Sequence, residues 1–250
     1  MARHVAADIR RRELIGLMGA GALCAALPRR VYAQAPNAAS LKIGFIGAGR
    51  EGGALGTLFA KAGHPVMFSS RHPEQLTDLV NGAGPNAKAG TVEEAVAFGD
   101  VIFLVVPYAA VEQIGKENGA AVAKKPLLFD VSNPIPRRDG EDFVKQVNEM
   151  GGAGLYTAKA FPGAKVVRGF NAIGFGRLEG ASKADGKIGV PIAGDDMAAI
   201  DLASALVTQI GFVPVLVGGL AIGKYLVPGT PLAGEHSPDE LKQIASTLKA

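Results

Sequence analysis

The chain has 250 residues, 48% hydrophobic and 20% charged, too apolar for a disordered segment and long enough to bury a core. Its formal charge is +3, but residues 1–35 hold six arginines against Asp8 and Glu13, net +4, which leaves the rest at −1. That body has no excess cation to track a phosphate backbone, so the charge excludes a nucleic-acid binder and predicts no nucleic-acid partner.

Residues 1–35 have the order of a cleavable export signal: an arginine-bearing start, an apolar run from Leu14 to Leu27, and the small residues of Ala33-Gln34-Ala35. Arg11-Arg12-Glu13-Leu14-Ile15 resembles the twin-arginine signal, which predicts an export translocase as partner and an exported, periplasmic or extracytoplasmic protein. An ordinary secretory signal or an uncleaved basic tail is the alternative. The run is too short and too rich in Ala and Gly for a stable membrane span, and no later stretch is a convincing one. Cys24, the one cysteine, lies inside this run, and the four histidines have no chelating spacing, so thiolate chemistry and a metal centre are both excluded.

After a linker at 36–40, short β-branched runs alternate with Ala-rich helical stretches. The pattern predicts an α/β fold: a Rossmann-type, doubly wound, mainly parallel sheet with helices on both faces. Strands are expected at 42–46, 65–69, 101–106 and 127–131, with helices at about 51–63, 73–81, 91–98 and 108–123 between them. A helix near 140–150, strands at 166–170 and 187–193, a helix at about 196–210 and a strand at 213–217 extend the same sheet. The organisation read is therefore a binding domain over 41–217, with a core at 41–135 and a sheet extension at 136–217, followed by a C-terminal extension at 218–250.

The first strand runs directly into Gly47-Ala48-Gly49-Arg50-Glu51-Gly52, a G-x-G-x-x-G that opens a helix. Gly47 permits the tight turn, Gly49 keeps the backbone open to a pyrophosphate, and Gly52 lets helix and strand approach. Arg50 and Glu51 stand at the helix start, where free N–H groups and the positive end of the dipole favour an anion. At the end of the second strand, where an NAD site carries an acid about 20 residues on, this chain has Ser69-Ser70-Arg71. Hydroxyls and a guanidinium suit the 2′-phosphate of NADP, so the cofactor predicted is NADP; a solvated loop arginine is the plain alternative.

Val106 and Pro107 end the strand beginning near Val101, at the carboxyl edge where α/β sheets bind ligands, and border the ribose side. Tyr108 either lines the nicotinamide pocket or packs in the core. Asn133-Pro134 and Asn171 each have a structural reading as a turn starter and a backbone cap, and Asp195-Asp196 reads as the cap of the next helix.

Together these segments resemble the NADP oxidoreductases typified by deazaflavin-dependent (coenzyme F-420-dependent) NADP reductase. The resemblance runs from about Leu41 to Val217. It rests on Ile46 to Gly52, Ser69-Ser70-Arg71, Val105-Val106-Pro107, Val131-Ser132-Asn133-Pro134, Gly169-Phe170-Asn171 and Ile192 to Asp196. A looser similarity extends to pyrroline-5-carboxylate reductases and β-hydroxyacid dehydrogenases. The resemblance implies hydride transfer between NADPH and a flavin-like ring or a small carbonyl or imine acceptor, without an obligatory protein acid or base. It also implies acceptor-side roles for Tyr108, Ser132, Asn133 and Asn171. The segment from Gly218 to Gly229 departs from the family pattern, having too many helix breakers for a long helix. Lys224 and Tyr225 are either acceptor contacts or a solvated lysine beside a packed tyrosine. The competing class is a non-catalytic exported NADP-binding or interaction protein that has lost the acceptor pocket; a homodimer is compatible with both.

Overall fold

The computed structural model describes residues 40–184 and 187–249, so the expected export signal and its cleavage site lie outside the described residues. The elements follow in order: β1 Ile43–Ile46, α1 Arg50–Lys61, β2 Val66–Ser69, α2 Thr77–Ala83, β3 Ala87–Gly90, α3 Val92–Phe98, β4 Val101–Leu104, α4 Val111–Val122 and β5 Leu128–Asp130. Then come α5 Pro136–Asp139, α6 Glu141–Glu149, α7 Ala153–Ala160, β6 Val166–Arg168, α8 Phe175–Ser182, β7 Gly189–Gly194, α9 Met197–Gln209, β8 Val213–Gly218 and α10 Pro238–Thr247.

The strands form one sheet in the order β3-β2-β1-β4-β5-β6-β7-β8. All neighbours pair in parallel except β6 and β7, which run antiparallel through Val167 opposite Gly194 and Arg168 opposite Ala193. This is the doubly wound α/β architecture that the alternation of elements predicts. β1, β4 and β5 are buried on both sides, and successive residues enter opposite cores. Phe45, Phe103 and Phe129 enter one, while Ile46, Ile102, Leu104 and Leu128 enter the other. In the first core, Phe103 stacks between Phe45 and Phe129 with centroids 4.8 Å away on each side.

Several elements differ from expectation. β3 lies where no strand is expected; Ala87-Lys88-Ala89-Gly90 lacks β-branched residues and forms as an edge strand through its pairing with β2. The strands expected over 101–106 and 166–170 end at Leu104 and Arg168. The helix expected from 108 starts with a 3-10 turn, Tyr108–Ala110, before α4. Helices α7, α8 and α10 occupy stretches read without a helix. α10 carries a readable start: Ser237 accepts from the Glu240 N–H, the Glu240 side chain accepts in return, and Pro238 takes the first helical position.

The segment after β8 holds a 3-10 turn, Leu220–Tyr225, rather than a long helix, as its breakers predict. Asp196 caps α9 by accepting from the Ala199 N–H, and Asp195 accepts from the Leu220 N–H. Leu226, Leu232 and Leu241 then pack on Ala193, Val215 and Val217, so a third apolar cluster covers the last two strands. Among the described residues, no helix is long and apolar enough to cross a membrane, and no group of acidic, histidine or cysteine side chains is placed to hold a metal.

Candidate functional site

β1 delivers the glycine loop to the carboxyl edge of the sheet. Gly47 adopts φ +104°, and a Cβ there would stand 2.2 Å from the Val105 carbonyl oxygen. A Cβ on Gly52 would stand 2.3 Å from the Gly47 oxygen. Both positions are closed to any side chain. Gly49 is the opposite case: nothing lies within 4 Å of the Cβ it lacks. Its missing side chain keeps the space above α1 clear, and no side chain caps that helix. The helix start is thus an open, uncapped anion cradle.

Gly49, Arg50, Glu51, Gly52, Val106, Pro107, Ser132, Asn133 and Asn171 all line one cavity of about 540 Å³. Sequence reasoning missed the segment that forms the cavity's far wall, Ala172 to Phe175, and also Arg138. The repeated Gly-x-Gly at Gly174 and Gly176 was the available signal. Phe175 is 42% exposed at the rim, and the Arg50 guanidinium lies 5.0 Å from its ring centroid.

The polar residues of this wall have distinct jobs. Ser132 is buried; its Oγ accepts from the Val106 N–H at 3.0 Å and donates to the Leu104 carbonyl at 3.1 Å. It therefore pins the end of β4 instead of presenting a free hydroxyl. Asn171 is 4% exposed and donates its amide to the carbonyls of Asp130 and Ser132, both at 3.2 Å. Its Oδ1 has no partner among the described residues. A buried acceptor left unpaired costs about 1–3 kcal/mol, and this one belongs to a residue that lines the cavity. Asn133 donates to the Asn171 carbonyl at 2.7 Å.

The turn into Asn171 is strained. Phe170 has φ +59°, the left-handed region that a bulky L-residue avoids. Its ring is buried between Phe129, at 5.9 Å, and Phe212, at 5.4 Å, which hold the conformation.

Beneath the wall lies a wholly buried ion pair. Arg168 on β6 and Asp130 on β5 are register partners, and the Arg168 Nη1 donates to Asp130 Oδ2. Thr157 donates to the same oxygen at 2.8 Å, and the Ser132 N–H donates to the other at 2.9 Å. The Arg168 Nη2 reaches the Leu226 carbonyl at 3.3 Å, tying the C-terminal segment to the underside of the site.

Four expected site residues sit elsewhere. Tyr108 is fully buried and belongs to the second core, where its hydroxyl donates to the Ala153 carbonyl and meets Thr157 at 2.9 Å. It is absent from the cavity wall, which corrects the acceptor-side reading; burial and the nearby Asp130 push its phenol well above the ordinary tyrosine range. Ser69 is buried, and its Oγ accepts from the Gly47 N–H at 3.3 Å, bracing the glycine loop. Ser70 and the exposed Arg71 line a separate depression of about 770 Å³ with Thr91, Glu93 and Asn118. Ser70 Oγ there accepts from the His72 N–H at 3.1 Å. Lys224 and Tyr225 do not line the cavity either; the ammonium lies 5.2 Å from the neighbouring ring. His64, read as part of a turn, is buried and bridges the Leu41 carbonyl to the Gln209 side chain.

Sheet, glycine loop and carboxyl-edge cavity define a Rossmann-type α/β protein whose first helix is open to an anion. Residues 42–134 match the family described as NADP oxidoreductase coenzyme F420-dependent. The chain is 30% identical to the metalloreductase STEAP3 of Rattus norvegicus over 192 residues, 76% of this chain and 36% of that protein. It is 34% identical to the 2-hydroxy-3-oxopropionate reductase of Escherichia coli strain K12 over 116 residues, 45% of this chain and 38% of that one. The chain thus spans little more than a third of the length of either curated relative. Among solved structures, protein SMa0349 of Sinorhizobium meliloti is 26% identical with a TM-score of 0.63, over 79% of this chain and 95% of that one. The imine reductase of Myxococcus stipitatus, 17% identical with a TM-score of 0.52 over 82% of this chain and 58% of its own, shares the fold.

Proposed function

We propose that this protein is an NADP(H)-dependent oxidoreductase whose acceptor, a flavin-like ring or a small carbonyl or imine, occupies the cavity beside the glycine loop. The observation that carries the reading is the meeting, in the lining of one cavity, of an uncapped helix start kept clear by Gly49 with buried Asn171, whose Oδ1 is unpartnered among the described residues. These are the two features a dinucleotide needs at its two ends: amide donors for the pyrophosphate and an acceptor for the nicotinamide carboxamide N–H. The match of residues 42–134 and the reductase names of both curated relatives support it.

A bound NADP(H) supplies the hydride chemistry; the chain supplies position. The first-turn N–H groups of α1 hold the pyrophosphate, and Asn171, fixed by its two amide bonds, orients the ring-bearing end. Val106 and Pro107 cover the cavity's edge with apolar surface and exclude water. Arg71 and Ser70 take the 2′-phosphate, and their place outside the main cavity suits a group carried at the far end of an extended ligand.

Titration of the purified protein with NADPH and NADH tests the cofactor, and a panel of deazaflavin, flavin, carbonyl and imine acceptors tests the transfer. Saturable NADPH binding with reduction of one acceptor class is expected. Tight NADPH binding with every acceptor left untouched would return the chain to a binding protein. Export in the folded state through the Arg11-Arg12 signal belongs to the same proposal. Replacing both arginines with Lys should leave precursor in the cytoplasm, and unchanged export would remove that part.

A further inference from the structure

Among the described residues, Glu51 is the only acidic side chain lining the main cavity. It stands in the first turn of α1, its Oε1 is buried, and that oxygen has no hydrogen-bond partner among the described residues. An ionised carboxylate so placed faces two penalties: it is poorly solvated, and any phosphate seated on the same helix start repels it.

The surrounding charges do not relieve this. Arg50 lies on the same helix and Arg138 on the cavity wall, yet neither forms an ion pair with Glu51 among the described residues. Arg50 stacks on Phe175, and Arg138 pairs with Asp139 at 2.8 Å. On α8, which packs on α1, Arg177 pairs with Glu235 at 2.6 Å and Glu179 with Lys183 at 3.0 Å. On α2, Asp78 is exposed. Asp130 and Arg168 below the cavity are engaged with each other. Burial accordingly pushes the Glu51 carboxyl up to about 7, with the Phe175 backbone N–H pulling part of the way back.

We infer that Glu51 enters the dinucleotide complex as the neutral acid: binding takes up one proton, and the Glu51 hydroxyl donates a hydrogen bond to a phosphate or ribose oxygen of the ligand. This rests on the NADP(H) reading and adds to it a proton-linked step. The sign follows from linkage: the complex holds a proton that the free protein loses as pH rises through about 7, so affinity falls as pH rises. An aligned helix dipole opposes protonation, but once the phosphates occupy the helix start that advantage is spent on them.

The test uses the purified full chain with NADH, whose lack of a 2′-phosphate removes a group that titrates in the same range. If only the neutral acid binds, Kd should rise about 25-fold between about pH 6.5 and about pH 8.5. Glu51→Gln, which always donates, should bind with nearly constant Kd. Wild type should also take up close to one proton per ligand in weakly buffered indicator solution at about pH 8, a measurement that needs no variant. Parallel pH slopes for wild type and Glu51→Gln, or no proton uptake by wild type, would overturn the inference and leave the cofactor reading standing. Absence of NADH and NADPH binding at every pH would overturn both.

Discussion

The two walls of the cavity are built in different ways. The glycine-loop wall is short in sequence: Gly47 to Gly52 run from the end of β1 into the first turn of α1, and their tolerances are set by backbone oxygens, that of Gly47 within the loop and that of Val105 just past β4. The opposite wall is assembled from β5, β6, the strained turn at Phe170 and the C-terminal segment, and it stands on the Asp130–Arg168 pair. The first wall can lose ligand without losing the fold, whereas the second joins ligand contacts to the buried structure that supports them.

The sharpest way to break that contrast is Asp130→Ala. It leaves the Arg168 guanidinium buried and unpaired, and should cost about 3–5 kcal/mol in a urea titration. The double replacement of Asp130 by Leu and Arg168 by Met should restore much of that loss. Gly52→Ala tests the local wall where it is tightest. Forcing a Cβ against the Gly47 carbonyl should cost about 1–3 kcal/mol of stability and weaken NADPH as well. Gly49→Ala places its methyl in open space, so melting should stay within about 0.5 kcal/mol of wild type while NADPH affinity drops; an unchanged affinity would show that no backbone approach occurs there.

Arg71→Asp should reduce NADPH binding by about 1.5–3 kcal/mol with little effect on NADH. Equal losses for both ligands would mean that Arg71 does not read the 2′-phosphate. The smallest effect belongs to Tyr108→Phe, which removes the hydroxyl from Ala153 and Thr157. It should cost about 0.5–1.5 kcal/mol of stability and leave NADPH affinity unchanged, as fits a core residue.

The same contrast governs what could be read from the chain. The glycine loop, the strands on either side of it and the Asp196 cap of α9 were legible because their determinants are adjacent in sequence, whereas Asp195 accepts from Leu220, 25 positions on. β3 was not, since Ala87-Lys88-Ala89-Gly90 has no strand propensity and forms only because β2 offers an edge. Tyr108 misled because it follows the exposed Pro107 by one residue, and a single turn carries it from rim to core. Asp130 and Arg168 gave no signal at all: nothing local says that two charges so far apart in sequence will be register partners on neighbouring strands. α10 had a full capping signature at Ser237-Pro238-Asp239-Glu240, overshadowed by the breakers before it.

The antiparallel step between β6 and β7 also decides which carboxylates stand near the cavity. Because β7 and β8 run against the other strands, Asp195 and Asp196 emerge at the edge of the sheet remote from the cavity. Arg50, Arg71 and Arg138 follow the ends of β1, β2 and β5 at the near edge. One reversal of strand direction thus keeps these two carboxylates, each holding a backbone N–H, at the opposite end of the sheet from the glycine loop.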